Sequence, residues 1–164
     1  MRSRGTLAAV AFCLLAWTPI PAAAQLDHPA IPPILSAAES LFQTMKTRDY
    51  GATWRVLTAK SRETIVSETY DAVRKAGDPP VPKDRIRDDF AGGGPLCRRY
   101  WEGFLQRFNP DDALEKSRWE MGMVGKDRAE VLITRQGADR PAVLKMFLET
   151  GGWRAGLVET FWSR

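Results

Sequence analysis

Glu159 is the side chain whose neighbours in sequence best suit it to chemistry. It alternates with Leu157 and Phe161, so a strand there turns its carboxyl to the same side as two apolar residues. A carboxyl surrounded by apolar groups holds its proton more readily and can serve as general acid or base. The competing reading is a partly wet strand face, with Glu159 paired to a cation such as Lys145. Tyr50, Trp54, Tyr70, Trp101 and Trp119 are the candidates to line a pocket around it, and each could equally be core.

Other reactive groups are scarce. The chain has 2 cysteines and 1 histidine, which excludes a disulfide framework and a Cys/His metal cluster. Cys97 opens a helical apolar stripe, where a thiol behaves as a small core residue; the alternative is a reactive or bridging thiol. His28 lies in a proline-rich lead-in, badly placed to activate a nucleophile. Asp88-Asp89 and Asp111-Asp112 lack calcium-loop spacing. Gly92-Gly93-Gly94 is followed by Pro95-Leu96-Cys97, not by the Gly-Lys-Ser/Thr of a phosphate loop. It reads as a flexible loop before a helix. No metal and no organic cofactor is expected.

The first residues read as an export signal. Arg2 and Arg4 form a basic start, Leu7 to Trp17 an apolar run, and Ala22-Ala23-Ala24 before Gln25 a cleavage site. The run is too short to span a bilayer, and Cys13 follows bulky Phe12, unlike a lipidation site. The expected organisation is a cleaved signal at 1–24, a flexible lead-in at 25–33, and one domain at 34–164 with a helical insert at about 78–110. A periplasmic or secreted location follows, with membrane contact only through the signal before cleavage. Of 24 Lys and Arg, Arg2 and Arg4 fall in the signal, so 22 bases face 20 acids in the remainder. These charges are mixed along the chain, unlike the basic patch of a nucleic-acid binder. No nucleic acid is expected as a partner.

The elements that must position these residues divide the domain in two. Ile34, Leu35, Ala38, Leu41, Phe42 and Met45 follow the spacing of one helix face, with Pro33 at its start and its end near Arg48. Asp49 caps a second helix carrying Trp54 and Leu57. Ser61 reads as a break or a new cap, and a third helix ends at Gly77. Residues 78–95 read as a long connection with one helical turn at 84–90. Cys97, Tyr100, Trp101, Phe104, Leu105 and Phe108 make an aromatic helix that Asn109-Pro110 stops. The period then changes. Arg118–Val124, Ala129–Gln136, Pro141–Thr150 and Trp153–Trp162 read as four strands joined by glycine-containing turns, hence an antiparallel meander. Helices followed by hairpin-linked strands predict an α+β domain with amino-terminal helices packed in a curved four-stranded antiparallel sheet.

Two stretches carry a resemblance. Residues 38–50, Ala38-Glu39-Ser40-Leu41-Phe42-Gln43-Thr44-Met45-Lys46-Thr47-Arg48-Asp49-Tyr50, are followed by Trp54-Arg55-Val56-Leu57-Thr58. The chain closes on Gly152-Trp153-Arg154-Ala155-Gly156-Leu157-Val158-Glu159. Both are similar to the opening helices and final hairpin of small exported members of the nuclear-transport-factor-two-like superfamily, also called the ketosteroid-isomerase-like or cystatin-like cone fold. The resemblance implies a cone with a pocket between helices and sheet. The catalytic Asp/Tyr and His/Asp sets of the family's enzymes have no counterparts placed residue by residue on this chain. The expectation is a non-catalytic exported envelope module that binds a small apolar ligand or a protein partner. The alternatives are a cofactor-free isomerase or dehydratase using Glu159, and a structural homodimer that pairs through the outer face of its sheet.

Overall fold

The computed structural model describes residues 28–77 and 79–161. The expected signal, Cys13, the first three residues of the lead-in, Asp78 and Trp162 lie outside the described residues. Six helices precede a four-stranded sheet and a seventh follows it. The sheet is an antiparallel meander in the order β1-β2-β3-β4, so the expected α+β class and cone-like arrangement hold.

Helix α1 (Ile31–Lys46) buries Ile31, Ile34, Ala38, Leu41, Phe42 and Met45 along one face. It begins ahead of the expected Pro33, because Pro32 and Pro33 both fit a first turn that needs no intrahelical N–H donors. A fully buried side chain such as Leu41 contributes on the order of 2 kcal/mol. The helix closes in a Schellman turn: Asp49 N–H donates to Thr44 O at 3.0 Å, and Arg48 N–H to Met45 O at 3.1 Å. Arg48 takes the left-handed position at φ 58°, where glycine is usual. Asp49 then caps α2 (Tyr50–Val56) by accepting from Ala52 N–H at 2.9 Å, as expected.

Helix α3 (Ala59–Lys75) is capped by Thr58, not Ser61; Ser61 lies buried in the first turn. The segment after it is more helical than expected. Helix α4 (Lys83–Ala91) has nine residues where a single turn was expected, and α5 (Pro95–Leu105) follows. Ile86 and Phe90, four residues apart, reach the core, and this offsets the polar composition of α4. The three glycines between α4 and α5 form a close-packed turn rather than a loose loop. Asp89 folds over them, and its Oδ1 accepts from Cys97 N–H at 2.8 Å, capping α5 from outside its own sequence. A Cβ on Gly94 would stand 2.2 Å from Asp89 Oδ2. Helix α5 ends at Leu105, short of the expected stop at Asn109-Pro110 and of Phe108, and a short α6 (Pro110–Leu114) follows with Asn109 as its cap.

Strands β1 (Ser117–Val124), β2 (Arg128–Arg135) and β3 (Ala142–Glu149) lie close to their expected positions. Trp119 pairs with Ile133, Met121 and Leu144 both pair with Val131, and Ala129 pairs with Met146, which puts these apolar side chains on the helix-facing side. The fourth strand is the main correction. β4 covers only Gly152–Ala155, and Leu157–Phe161 is a helix, α7. Leu157 and Val158 are both buried, a pairing of adjacent residues that a strand with one wet face cannot supply. Where β4 stops, α7 takes over the edge of β3. Gly156 N–H donates to Lys145 O at 2.8 Å, and Lys145 N–H donates to Thr160 Oγ1 at 2.9 Å. Both edge groups of Lys145 on β3 are thus satisfied without another strand.

This turn depends on Gly156. A Cβ there would stand 2.6 Å from Cε2 of Phe147. Gly156→Ala is expected to cost about 1–3 kcal/mol, read from urea unfolding, through forced displacement of the Phe147 ring. An unchanged midpoint would show that the ring moves freely and that the turn is not tightly packed.

Candidate functional site

Glu159 does not stand on a strand. On α7 its carboxyl meets the first turn of α3. Thr58 Oγ1 donates to Glu159 Oε1 at 2.9 Å, and Ser61 Oγ donates to Oε2 at 2.7 Å. The hydroxyls in turn accept backbone donors: Thr58 Oγ1 from Ser61 N–H at 3.0 Å, and Ser61 Oγ from Val158 N–H at 3.1 Å. Thr58 Oγ1 also lies 2.9 Å from Ser61 Oγ, but each hydroxyl has one proton and the carboxylate is the stronger acceptor for both. Thr58 and Ser61 are almost fully buried. A second carboxylate completes the helix start, as Glu149 Oε1 accepts from Ala59 N–H at 2.8 Å. Two negative groups at a helix amino terminus also suit its dipole. Both oxygens of Glu159 are engaged in holding elements together. The expected pairing with Lys145 is not formed, and its side chain is not directed into an apolar chamber from a strand.

The aromatic candidates are brought together, but not around a void. Tyr50, Trp54 and Trp101 are buried members of one continuous core. Ring contacts run from Trp54 to Phe90 at 5.0 Å, Phe90 to Tyr100 at 5.6 Å, Tyr100 to Trp101 at 5.3 Å and Trp101 to Phe104 at 5.6 Å. They continue through Phe108 and Phe42 to Trp119. These tilted and edge-on rings add cohesion beyond their buried area. Trp119 also donates its indole N–H to Ala113 O at 2.7 Å, which ties β1 to α6. Tyr70 stands apart, half-buried, between the cations Arg74 and Lys83, each 5.7 Å from its ring.

Cys97 is fully buried at the start of this ladder. Burial, reinforced by the Asp89 carboxylate and opposed by the Trp101 indole, pushes its thiol up from 9.0 to about 12. A thiol held in that form does not supply the thiolate that nucleophilic chemistry needs. No group of three or more Cys, His, Asp or Glu among the described residues is arranged to hold a metal. No described helix is long and apolar enough to cross a membrane.

Trp119 borders a cavity of about 260 Å³ with Leu35, Glu39 and Leu114, and a larger concave surface lies on the outer side of α5. One groove of about 570 Å³ is bordered by Glu68, Tyr100, Gly103, Phe104, Arg107, Phe108 and Phe161. A second of about 200 Å³ lies between α3 and α5, along Thr69, Ala72, Val73, Ala76, Leu96, Arg99 and Tyr100. The two meet at Tyr100. Of the sequence candidates for a pocket, none borders this groove. The sequence did hold a signal for it. Leu96, Tyr100, Phe104 and Phe108 recur every fourth residue beside the row of Cys97 and Trp101. A stripe two rows wide exceeds what one buried helix face takes up. Only Cys97 and Trp101 are fully buried, and the second row remains half-exposed.

No family model, curated protein or solved structure matches the chain.

Two outcomes follow from this geometry. Ser61→Ala strands Val158 N–H and Glu159 Oε2, so it and Glu159→Ala are each expected to lose about 1–3 kcal/mol in urea unfolding. The double variant should lose less than the sum, because the pair acts together; strict additivity would show no direct coupling. The second outcome concerns pH. The folded chain holds the Cys97 proton up to about 12, while an unfolded thiol releases it from its ordinary 9.0. Above 9 the folded state therefore binds more protons, and stability falls as pH rises toward 12. Tyr50 and Tyr100, raised above 10.0 mainly by burial, act in the same direction. The urea midpoint should decline from about pH 9 upward, and Cys97→Ala should remove the first part of that decline.

Proposed function

We propose that this chain is a non-catalytic exported binding module, and that it takes an apolar ligand or the apolar segment of an envelope protein on the outer groove of α5. The observation that carries the reading is that groove: about 570 Å³, bordered by Tyr100, Phe104, Phe108 and Phe161, with Phe161 53% exposed. Apolar area left on a concave surface is a recognised feature of binding sites. The interior supports the same reading from the other side, since the rings that would line a chamber in the cone pack against one another. The resemblance to the nuclear-transport-factor-two-like superfamily belongs to this proposal. Its support is the order of elements and the two stretches quoted above. Export to a periplasm or beyond rests on the signal-like residues 1–24.

The alternative of a cofactor-free isomerase or dehydratase acting through Glu159 has less behind it. That carboxyl already accepts from Thr58 and Ser61 and spans two helices. A group committed in this way is poorly suited to exchange protons with a substrate.

Native mass spectrometry of the protein purified from its own host's envelope fraction tests the reading. The expected result is a chain beginning at Gln25 that carries a reproducible added small mass or a bound protein. Denaturation should release it, and Phe104→Glu, which places a charge in the groove, should prevent it. A bare monomer in repeated preparations would count against the binding reading. An intact residue 1–24 segment would count against export with cleavage.

A further inference from the structure

Arg99 and Gly103 on α5, and Arg107 in the turn that follows it, recur every fourth residue beside the apolar row of Leu96, Tyr100 and Phe104. Neither arginine forms an ion pair or side-chain hydrogen bond with another described residue. A Cβ added at Gly103 would meet nothing within 4 Å. Glycine in a helix costs about 0.5–1 kcal/mol relative to alanine. Here no neighbour requires it, and its effect is to leave the groove floor open between the two cations.

Resting on the proposed binding role of this groove, we propose that its ligand is a single-chain amphiphile with a carboxylate head. The head pairs with Arg107, and the apolar body runs along Phe104 and Tyr100 toward Leu96. Three observations carry this. The floor is apolar, and α5 from Leu96 to Leu105 spans about 14 Å at 1.5 Å per residue, enough for an extended aliphatic chain, with Arg107 in the turn just beyond its end. The groove offers an unengaged guanidinium, which favours an anion, and carboxylate geometry suits it. Glu68 on the α3 side acts on Tyr100 and forms no ion pair with Arg107, so it directs a negative head away from the middle of the groove and toward the Arg107 end. At neutral pH the Tyr100 hydroxyl carries its proton and can donate to a ligand.

The probes are cis-parinaric acid, whose emission rises in apolar surroundings, and its methyl ester, titrated into the purified chain at neutral pH and low salt. The acid is expected to bind about ten-fold or more tightly than the ester, the size of a charge-assisted contact. Arg107→Gln should bring the acid down to the level of the ester and leave the ester unchanged. Gly103→Leu fills the groove without breaking the helix and should abolish binding of both. Equal affinity for acid and ester would overturn the carboxylate assignment while leaving the groove as an apolar site. Binding that survives Gly103→Leu would place the site elsewhere and overturn the assignment. Absence of binding for both probes to the unmodified chain would overturn the groove reading itself.

Discussion

A carboxyl on the last described helix holds the first turn of a helix about a hundred residues earlier. Thr58 and Ser61 both donate to Glu159, across sequence separations of 101 and 98. The same turn is fixed to the sheet, because Leu57 forms a parallel bridge with Ala155 and Thr58 N–H donates to Ala155 O at 3.0 Å. Glu149 adds a third attachment at Ala59. Closing so long a loop is entropically expensive, and this junction is where the closure is secured. It sets the direction of α3, the end of β4 and the position of α7. Through α3 it also fixes one wall of the groove.

The second constraint is the amount of aromatic volume. A ladder of rings from Trp54 to Trp119 crosses α2, α4, α5, α1 and β1. Interiors pack to near-crystalline density, so the rings in mutual contact enclose no chamber among themselves, and the cavity at the Trp119 end is bordered by α1, α6 and β1. The helices between α3 and β1 supply Phe90, Tyr100, Trp101 and Phe104 to this ladder. Their outer faces then carry the groove bordered by Tyr100, Phe104 and Phe108. The segment between α3 and β1 thus both helps to fill the interior and creates the groove outside it.

Much of the fold was legible because local rules and tertiary packing agree. The period of α1, the Asp49 cap, the glycine ending α3 and the alternation in β1 to β3 are short-range signals, and the structure uses each of them. Helix α4 was underestimated because its sequence is mostly charged, and only Ile86 and Phe90 reveal a buried face. The glycine run before α5 looked like a loose loop because Asp89, which closes over it, reaches from the preceding helix. The closing segment from Leu157 to Phe161 misled because its apolar residues also fit an alternating pattern. Its helical state is fixed by the Lys145 backbone and by the hydroxyls of Thr58 and Ser61, partners that no local window contains.

The candidate site divides along the same line. Residue types and spacing by themselves determined the α+β class, the exclusion of a Cys/His metal cluster, the aromatic wealth of α5 and the suitability of Cys97 for a core. These follow from periodicity and counting, which depend only on near neighbours in the chain. Which aromatic residues fill the interior, which remain on the surface, and whether Glu159 faces a chamber or holds a helix were decided by tertiary structure. Each of those outcomes depends on groups tens of residues away competing for the same volume or the same proton.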